Sequence, residues 1–300
     1  MELLHWFAVH RTPFWDGFFT AITYLGGEMA VLAVALVVYF CVDKKRAYYL
    51  FVVGLGGTAV NQFFKFLFRI PRPYVQDPTL IPVPAAMETV DPYSFPSGHT
   101  QTAVGLYGAL LRMARHPLLR AVCWAAVVLV PLSRMYLGVH TPADVLFSAG
   151  LALLFVHLVP FLLDVCCPSV RRMTLLFTLQ AIVAALVLLY LYLSGHTDAD
   201  MKNGYTLLGV SLGLLAAYLA DAHFVHFSTR APLAGQLLKV AGGLLLAFAC
   251  RAVFRAPFTA LFGSAESLFR YFLLVFLVAG IYPLSFPLFA RIGAKREKNA

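Results

Sequence analysis

Residues 173–193 read MTLLFTLQAIVAALVLLYLYL, and none of these 21 residues is charged. A helix of about 20 apolar residues crosses the hydrocarbon core of a bilayer. The whole chain has this character, because 61% of its 300 residues are hydrophobic, only 12% are charged, and the mean hydropathy is +0.80. Soluble domains carry about 25% charged residues. The sequence therefore predicts an all-α fold, a polytopic membrane helix bundle, and excludes collagen, a disordered chain and a disulfide-stapled secreted domain.

Nine apolar segments of near-spanning length follow one another, separated by charge clusters, turn residues or prolines. They are residues 27–42, 47–68, 98–114, 119–132, 143–163, 173–193, 204–220, 233–254 and 266–290. We therefore expect about nine transmembrane helices joined by short loops.

Basic clusters between the segments predict the orientation in the membrane. They are Lys44, Lys45 and Arg46, then Arg115 and Arg120, then Arg171 and Arg172, then Arg230, then Arg291, Lys295, Arg296 and Lys298. Each cluster follows an odd-numbered segment, and cytoplasmic loops are the ones enriched in Lys and Arg. We expect an external amino terminus, a cytoplasmic carboxyl terminus, and an extracytoplasmic position for the loops after segments two and four. Topology then explains the net charge of +9 without a nucleic-acid partner.

The amino-terminal residues MELLHWFAVHRTPFWDGFF lack the basic region and cleavage site of a signal peptide. We expect them to stay in the mature protein as a helix at the membrane interface. The cysteines show neither a metal-ligand spacing nor a disulfide framework, so they are predicted to be small core residues. They are Cys41, Cys123, Cys166, Cys167 and Cys250.

Three clusters of polar residues are not explained by topology, and all are predicted at the outer face. The first is Lys65 with Arg72 and Pro73, at the end of the second segment. Seven residues are about two helical turns, so both cations point to one side if the helix runs nearly to Pro71. The alternative is a pair of basic side chains that snorkel to the interface.

The second cluster is Ser94-Phe-Pro-Ser97-Gly98-His99-Thr100, at the start of the third segment. A helix amino terminus offers N–H groups to an anion, Gly98 allows close approach, and His99 titrates near neutral pH. The alternative is an ordinary helix cap followed by a structural histidine.

The third cluster is Ser133-Arg134, His140 and Asp144, between the fourth and fifth segments. Asp144 has the spacing of a capping box with Thr141, which is the alternative to a functional role. The two interpretations are compatible, because a carboxylate one turn from His140 can accept its Nδ1–H and leave Nε2 as a nucleophile.

Together the clusters supply three cations, two histidines, a carboxylate and a helix amino terminus. A transferring phosphoryl group needs this set, since fixed cations and N–H donors stabilise its oxygens while a nucleophile and a proton donor act in line. The loop of residues 74–95, with Asp77, Glu88 and Asp91, is long enough to suggest a functional role.

Three motifs occur in order. They are Lys65 and Arg72-Pro73 with six residues between them, then Pro96-Ser97-Gly98-His99, then Ser133-Arg134 followed after five residues by His140 and after three more by Asp144. This pattern resembles the signature of the type 2 phosphatidic acid phosphatase superfamily. The signature covers residues 65–144. The resemblance implies a phosphatase core over residues 1–193, additional transmembrane helices over 194–300, and a bacterial plasma-membrane protein. The last three segments carry no motif of their own.

The resemblance also implies roles. His140 would attack phosphorus to form a phosphohistidine, Asp144 would orient it, and His99 would protonate the leaving group. The phosphate oxygens would be held by Lys65, Arg72, Ser97, Gly98 and Arg134. No metal and no cofactor is implied, and the acidic and histidine groups of residues 196–200 and 221–226 are interpreted as solvated loop residues.

Three functions stay open at this point. The first is hydrolysis of a lipid phosphate or pyrophosphate, with membrane lipids as partners and with undecaprenyl pyrophosphate or phosphatidylglycerol phosphate as favoured substrates. The second is hydrolysis of a soluble ester such as a sugar phosphate, which the apolar residues 80–87 disfavour. The third is a transporter or binder of phosphate lipids, which would need the cations but not His140 oriented by Asp144.

Overall fold

The computed structural model describes residues 1–87 and 90–292. These residues form fifteen α-helices and no strand. The helices are α1 Glu2–Val9, α2 Pro13–Thr23, α3 Glu28–Val37, α4 Lys44–Phe68, α5 Pro73–Gln76, α6 Pro84–Met87, α7 Gly98–Met113, α8 Pro117–Tyr136, α9 Pro142–Cys166, α10 Val170–Leu193, α11 Asp198–Ala220, α12 Leu233–Val253, α13 Arg255–Phe262, α14 Glu266–Val275 and α15 Phe286–Arg291. The predicted all-α membrane bundle is confirmed, and the chain is an integral membrane protein.

Seven helical stretches within the described ranges are long and apolar enough to cross a membrane, or eight if the bent pair Pro13–Gly26 and Glu28–Val42 forms one span. The predicted segment 98–114 becomes α7, whose 16 residues fall short of that length. The predicted segment 266–290 is also not one regular helix. It consists of α14, a π-helical stretch Phe276–Ile281, a 3₁₀ turn Tyr282–Ser285, and α15. Two prolines, Pro283 and Pro287, accompany this interruption because proline cannot donate the backbone hydrogen bond.

The chain divides into two compact units, residues 1–32 with 50–160 and residues 33–49 with 161–300. All the residues of the predicted site belong to the first unit. The predicted boundary between residues 193 and 194 stays a prediction.

In the first unit, α4, α7 and α9 approach one another at glycines. An ideal Cβ on Gly105 of α7 would lie 3.4 Å from Val53 of α4, and one on Gly56 of α4 would lie 2.7 Å from the ring of Phe155 in α9. Small residues let membrane helices pack closely where no hydrophobic driving force exists between them. This packing brings the carboxyl-terminal end of α4 and the first turns of α7 and α9 into one unit.

The amino terminus forms two short helices rather than the single interfacial helix that the sequence predicts. Thr12 caps α2, whose first residue is Pro13. Both α1 and α2 pack on α8. Their aromatic rings meet Tyr136 near the end of α8, with centroid distances of 5.7 Å from Phe7 and 4.3 Å from Phe19. The amino-terminal helices therefore brace the segment that leads to His140.

The loop after α4 is packed against this aromatic cluster. Leu80, Val83 and Ala86 are buried, whereas Ile81 and Met87 are exposed. Most of the large apolar side chains of residues 80–87 are thus buried inside the protein. This loop gives no independent support for a lipid substrate. Glu88 and the basic residues Lys295, Arg296 and Lys298, used in the sequence analysis, lie outside the described residues.

Candidate active site

The two cations of the first cluster are brought together by a loop residue and not by helical spacing. Helix α4 ends at Phe68, and Arg69 has a φ of 49°, so the helix does not run to Pro71 as expected. Lys65 Nζ nevertheless donates to Asp91 Oδ2 at 2.8 Å, and Arg72 Nε donates to the Asp91 carbonyl at 2.7 Å. Both cations are only 2% exposed, which argues against the snorkelling alternative.

Ser97 is the N-cap of α7, as the cap interpretation predicts, and its hydroxyl accepts from Thr100 N at 3.4 Å. Capping by Ser97 leaves room for a ligand at this helix terminus. A Cβ built on Gly98 would have nothing within 4 Å, so space is open at the first turn of α7. An anion there would meet the free N–H groups and the positive end of the helix dipole.

His140 lies between α8 and α9 and is held from two sides. Arg72 Nη1 lies 3.1 Å from His140 Nε2 and also donates to the Val139 carbonyl at 3.0 Å. Because a guanidinium can only donate, Nε2 must be the acceptor and Nδ1 carries the proton in the neutral ring. Nδ1 faces Asp144 Oδ2 at 3.5 Å, which is an ion-pair distance and longer than the hydrogen bond that the sequence analysis expects.

Asp144 is also the capping residue that the alternative interpretation predicts. Its Oδ2 accepts from Thr141 N at 2.8 Å, and Thr141 Oγ1 accepts from Asp144 N at 3.3 Å. Ser94 Oγ donates to the same Oδ2 at 2.5 Å. Ser94 opens the second cluster, three residues before the Ser97 cap, but its sequence position indicates no such role.

Arg134 is fully buried near the end of α8. Its Nη1 donates to Thr23 Oγ1 at 2.8 Å, and its Nε is buried without a hydrogen-bond partner. Thr23 ends α2 and is distant in sequence from every motif, so no sequence signal indicates it. A buried guanidinium with donors left over is costly unless an anion arrives to accept from it.

The site is strongly electropositive. Burial lowers the pKa of His140 well below its ordinary value of 6.5, and neighbouring positive groups lower it further. These are Arg72, Arg134 and Lys65. His99 has the smallest effect, and its own pKa is lowered to about 3 by burial and by the same cations. The effect of His99 places it close enough to interact with His140. The imidazole of His140 is therefore neutral and able to act as a nucleophile at neutral pH.

The predicted site residues thus lie in one unit and surround one region. Lys65, Arg72, Arg134, His99 and His140 interact electrostatically, and Ser97 N contacts the Asp144 carbonyl at 3.4 Å. Three buried cations, an open helix amino terminus and a neutral imidazole are suited to bind a tetrahedral anion and to attack it.

The residues interpreted as solvated loop groups have other structural partners. Asp200 completes a capping box with Thr197, and Asp221 accepts from Lys44 at 2.7 Å and from Phe227 N at 3.1 Å. Over the described ranges, no three His, Cys, Asp or Glu residues are grouped as metal ligands would be. The five cysteines are free thiols, of which Cys123 and Cys250 are buried.

Comparison with known proteins adds independent findings. The model of the PAP2 superfamily matches residues 45–164, and the model of the transmembrane extension of PAP2 superfamily phosphatases matches residues 205–296. An undecaprenyl-diphosphatase of Bacillus subtilis is 27% identical over 156 residues, which are 49% of this chain and 76% of that protein. A lipid A 4'-phosphatase of Porphyromonas gingivalis is 29% identical over 159 residues, 49% of this chain and 65% of the relative, less than two thirds of its length. No solved structure gives a significant match.

Proposed function

Because this chain belongs to the PAP2 superfamily, we propose that it hydrolyses a terminal phosphate or pyrophosphate of a membrane lipid through a phosphohistidine, at the extracytoplasmic face. Both curated relatives are named as phosphatases of lipid substrates. An isoprenyl pyrophosphate is the substrate class we favour, and a lipid phosphate monoester is the next.

The observation that carries the proposal is the pairing of Arg72 Nη1 with His140 Nε2 at 3.1 Å. The guanidinium sets the tautomer, so that the lone pair of Nε2 points to the side from which Arg72 donates. A phosphoryl oxygen that takes over the Arg72 Nη1–H frees the lone pair of Nε2 and brings its phosphorus next to it. The same cation thus binds the substrate and aligns it with the nucleophile.

The first chemical step forms the Nε2–P bond and breaks the bond from phosphorus to the leaving oxygen. His99 is neutral in the empty site, because burial, Arg134 and Lys65 lower its pKa to about 3. It takes up a proton when the negatively charged phosphoryl group binds, and it gives that proton to the leaving oxygen. Lys65, Arg72, Arg134 and the first turn of α7 stabilise the charge on the three equatorial oxygens. Asp144 stabilises the positive charge that develops on His140.

In the second step, neutral His99 takes a proton from water as the water oxygen bonds to phosphorus. The Nε2–P bond breaks, and inorganic phosphate leaves. His99 is protonated again, and His140 returns to the neutral form held by Arg72. Atoms and protons balance over the cycle, which consumes one water and needs no further reactant.

The proposal is tested by His140→Ala in full-length protein in detergent. We expect phosphate release to fall at least about a thousandfold, and we expect loss of the acid-labile label that the wild type takes up from a ³²P-labelled substrate in a rapid quench. The matched control is His157→Ala, because His157 is exposed on α9 and its Nδ1 donates to the Leu153 carbonyl at 2.8 Å. Full turnover in His140→Ala would contradict the proposal.

The substrate class is tested on the same preparations, with EDTA present. The panel contains undecaprenyl pyrophosphate, farnesyl pyrophosphate, phosphatidate, sphingosine phosphate and glucose 6-phosphate. We expect the largest kcat/KM for an isoprenyl pyrophosphate. A preference for glucose 6-phosphate would assign the site to soluble esters, and phosphate-lipid binding without release would make the protein a binder.

A further inference from the structure

We propose that Asp91 is an affinity-determining residue of the phosphate site. Its carboxylate occupies Lys65 while the site is empty and gives way to a phosphoryl oxygen when an anion binds. The inference rests on the proposed function, since it takes the same site to bind phosphoryl groups. Asp91 lies outside the three sequence clusters, in the loop that precedes Ser94.

The side chains of Lys65 and Asp91 differ in their exposure to water. Lys65 Nζ and Asp91 Oδ2 are 2.8 Å apart, yet the side chain of Lys65 is 2% exposed and that of Asp91 is 39% exposed. The carboxylate can leave for solvent by rotating its side chain, whereas the ammonium cannot. A cation this deeply buried needs an anionic partner at all times. Asp91 supplies that partner whenever phosphate is absent.

The backbone around Asp91 is fixed, so the exchange needs only a side-chain rotation. The carbonyl of Asp91 accepts from Arg72 Nε at 2.7 Å, and Ser94 N donates to the Ile70 carbonyl at 2.8 Å. An isolated antiparallel bridge joins Pro71 to Tyr93. The loop is therefore tied to the chain on which Arg72 lies, and the site does not have to open. Rotamer changes of partly exposed side chains take picoseconds to nanoseconds.

The other carboxylate of the site cannot make this exchange. Asp144 is 2% exposed, and its Oδ2 accepts from Ser94 and Thr141 and lies 3.5 Å from His140 Nδ1. Arg134 is paired through Nη1 with the neutral hydroxyl of Thr23. Among the described residues, Asp91 is thus the carboxylate that pairs with a site cation and also reaches water.

The Asp91 carboxylate competes with phosphoryl ligands for Lys65. It therefore lowers the affinity of every such ligand by the same factor, which is the fraction of time for which Lys65 is not paired with Asp91. Inorganic phosphate, the product, is weakened together with the substrate. Asp91 therefore favours release of phosphate after each turnover and keeps the empty site from holding the phosphate of the medium.

The test measures the Kd of inorganic phosphate by isothermal titration calorimetry, with full-length protein in detergent. We expect Asp91→Asn to bind phosphate about tenfold more tightly than the wild type, a typical effect for one charged contact. Asp77→Asn is the matched control, because Asp77 lies in the same loop but pairs with His5 at 2.7 Å and with Thr79. Its phosphate Kd should stay within about twofold. Unchanged or weaker binding in Asp91→Asn overturns the inference, and a purely structural role for Asp91 gives that result.

A thermal measurement guards against misfolding. Without phosphate, Asp91→Asn leaves Lys65 unpaired and should unfold at a lower temperature than the wild type, whereas added phosphate should raise its Tm by more than it raises the wild-type Tm. If this variant does not purify as a folded protein, Asp91→Ser is measured in the same way. Adding Lys65→Met to Asp91→Asn should abolish the gain in phosphate affinity, and persistence of the gain would also overturn the inference.

Phosphate release is measured on the same preparations, which separates the two proposals. Tighter phosphate binding in Asp91→Asn with no turnover in the wild type would contradict only the proposed function. Normal turnover with unchanged phosphate affinity would contradict only the role of Asp91.

Discussion

The carboxylate of Asp144 caps helix α9 and also faces His140, the candidate nucleophile. The same oxygen accepts from Thr141 N and Ser94 Oγ and lies 3.5 Å from His140 Nδ1. The cap holds the carboxylate in place at the first turn of α9, and His140 precedes that turn by two residues. The capping interpretation and the functional interpretation therefore describe one arrangement, in which local backbone geometry orients a charged group.

Ser94→Ala tests how much this support contributes. The variant removes a hydroxyl donor from a buried carboxylate, and we expect kcat/KM to fall by about tenfold to a hundredfold. Ser148→Ala is the matched control, because Ser148 is equally buried and donates to the Asp144 carbonyl instead of its carboxylate. Steady-state kinetics on an isoprenyl pyrophosphate compares the two. Equal losses in both variants would show that Ser94 acts through general packing.

The pH dependence of activity follows from the lowered pKa of His140. In the proposed mechanism the neutral ring is the nucleophile, and burial and the surrounding cations hold its pKa well below 6.5. Protonation therefore removes the nucleophile only at a pH well below 6.5. We expect the acid limb of kcat/KM that belongs to the enzyme to lie there, after correction for ionisation of the substrate. An enzyme limb at pH 6.5 or above would contradict the electropositive environment of His140.

At the scale of elements, the start of α7 is braced by the turn that follows α2. This 3₁₀ turn covers Tyr24–Gly26, and an ideal Cβ on Gly26 would lie 2.8 Å from the His99 carbonyl and 2.9 Å from Val130. The hydroxyl of Tyr107, further along α7, donates to the Leu25 carbonyl at 3.1 Å. The position of His99 thus depends on an amino-terminal element that carries none of the motifs.

Gly26→Ala should displace the backbone of His99, because the added methyl group meets a carbonyl and not the end of a flexible side chain. We expect kcat to fall at least about tenfold, since misplacement of a catalytic group by about 1 Å costs up to a hundredfold. Gly17→Ala in α2 is the control, because a Cβ there has nothing within 4 Å. Kinetics and thermal unfolding of both variants are the measurements. Wild-type kcat in Gly26→Ala would show that α7 does not depend on this contact.

At the scale of the molecule, the second unit is held by its own close contacts. An ideal Cβ on Gly209 or Gly213 of α11 would lie 2.3 Å from the Leu268 carbonyl or 2.7 Å from the Phe272 carbonyl of α14. Such small residues one turn apart are typical of tightly packed membrane helices. Lys239 of α12 is fully buried and donates to the carbonyls of Ser228 and Thr229 at 3.0 and 3.1 Å. These contacts hold the helices of the unit together and assign it no chemical role.

The predicted orientation of the chain is tested by labelling intact cells with a membrane-impermeant maleimide in a cysteine-free background. Thr79→Cys lies in the loop after α4, and His116→Cys lies between α7 and α8; both positions are exposed. We expect labelling of Thr79→Cys in intact cells and labelling of His116→Cys only after permeabilisation, because the basic cluster near residue 116 is predicted to be cytoplasmic. The reverse pattern would put the candidate site on the cytoplasmic side.

The sequence by itself determined the membrane fold and indicated the residues of the candidate site. Apolar length decides whether a helix can lie in lipid, and the residues that bear charge in such a chain are costly enough to mark a function. Only the tertiary structure decided how these residues are held. Helix α4 stops at Phe68, and Asp91 accepts from both Lys65 and Arg72. Thr23 accepts from Arg134, and Ser94 donates to Asp144. Each of these contacts depends on the path of a loop or on a helix remote in sequence, and the periodicity of a single segment contains no information about either.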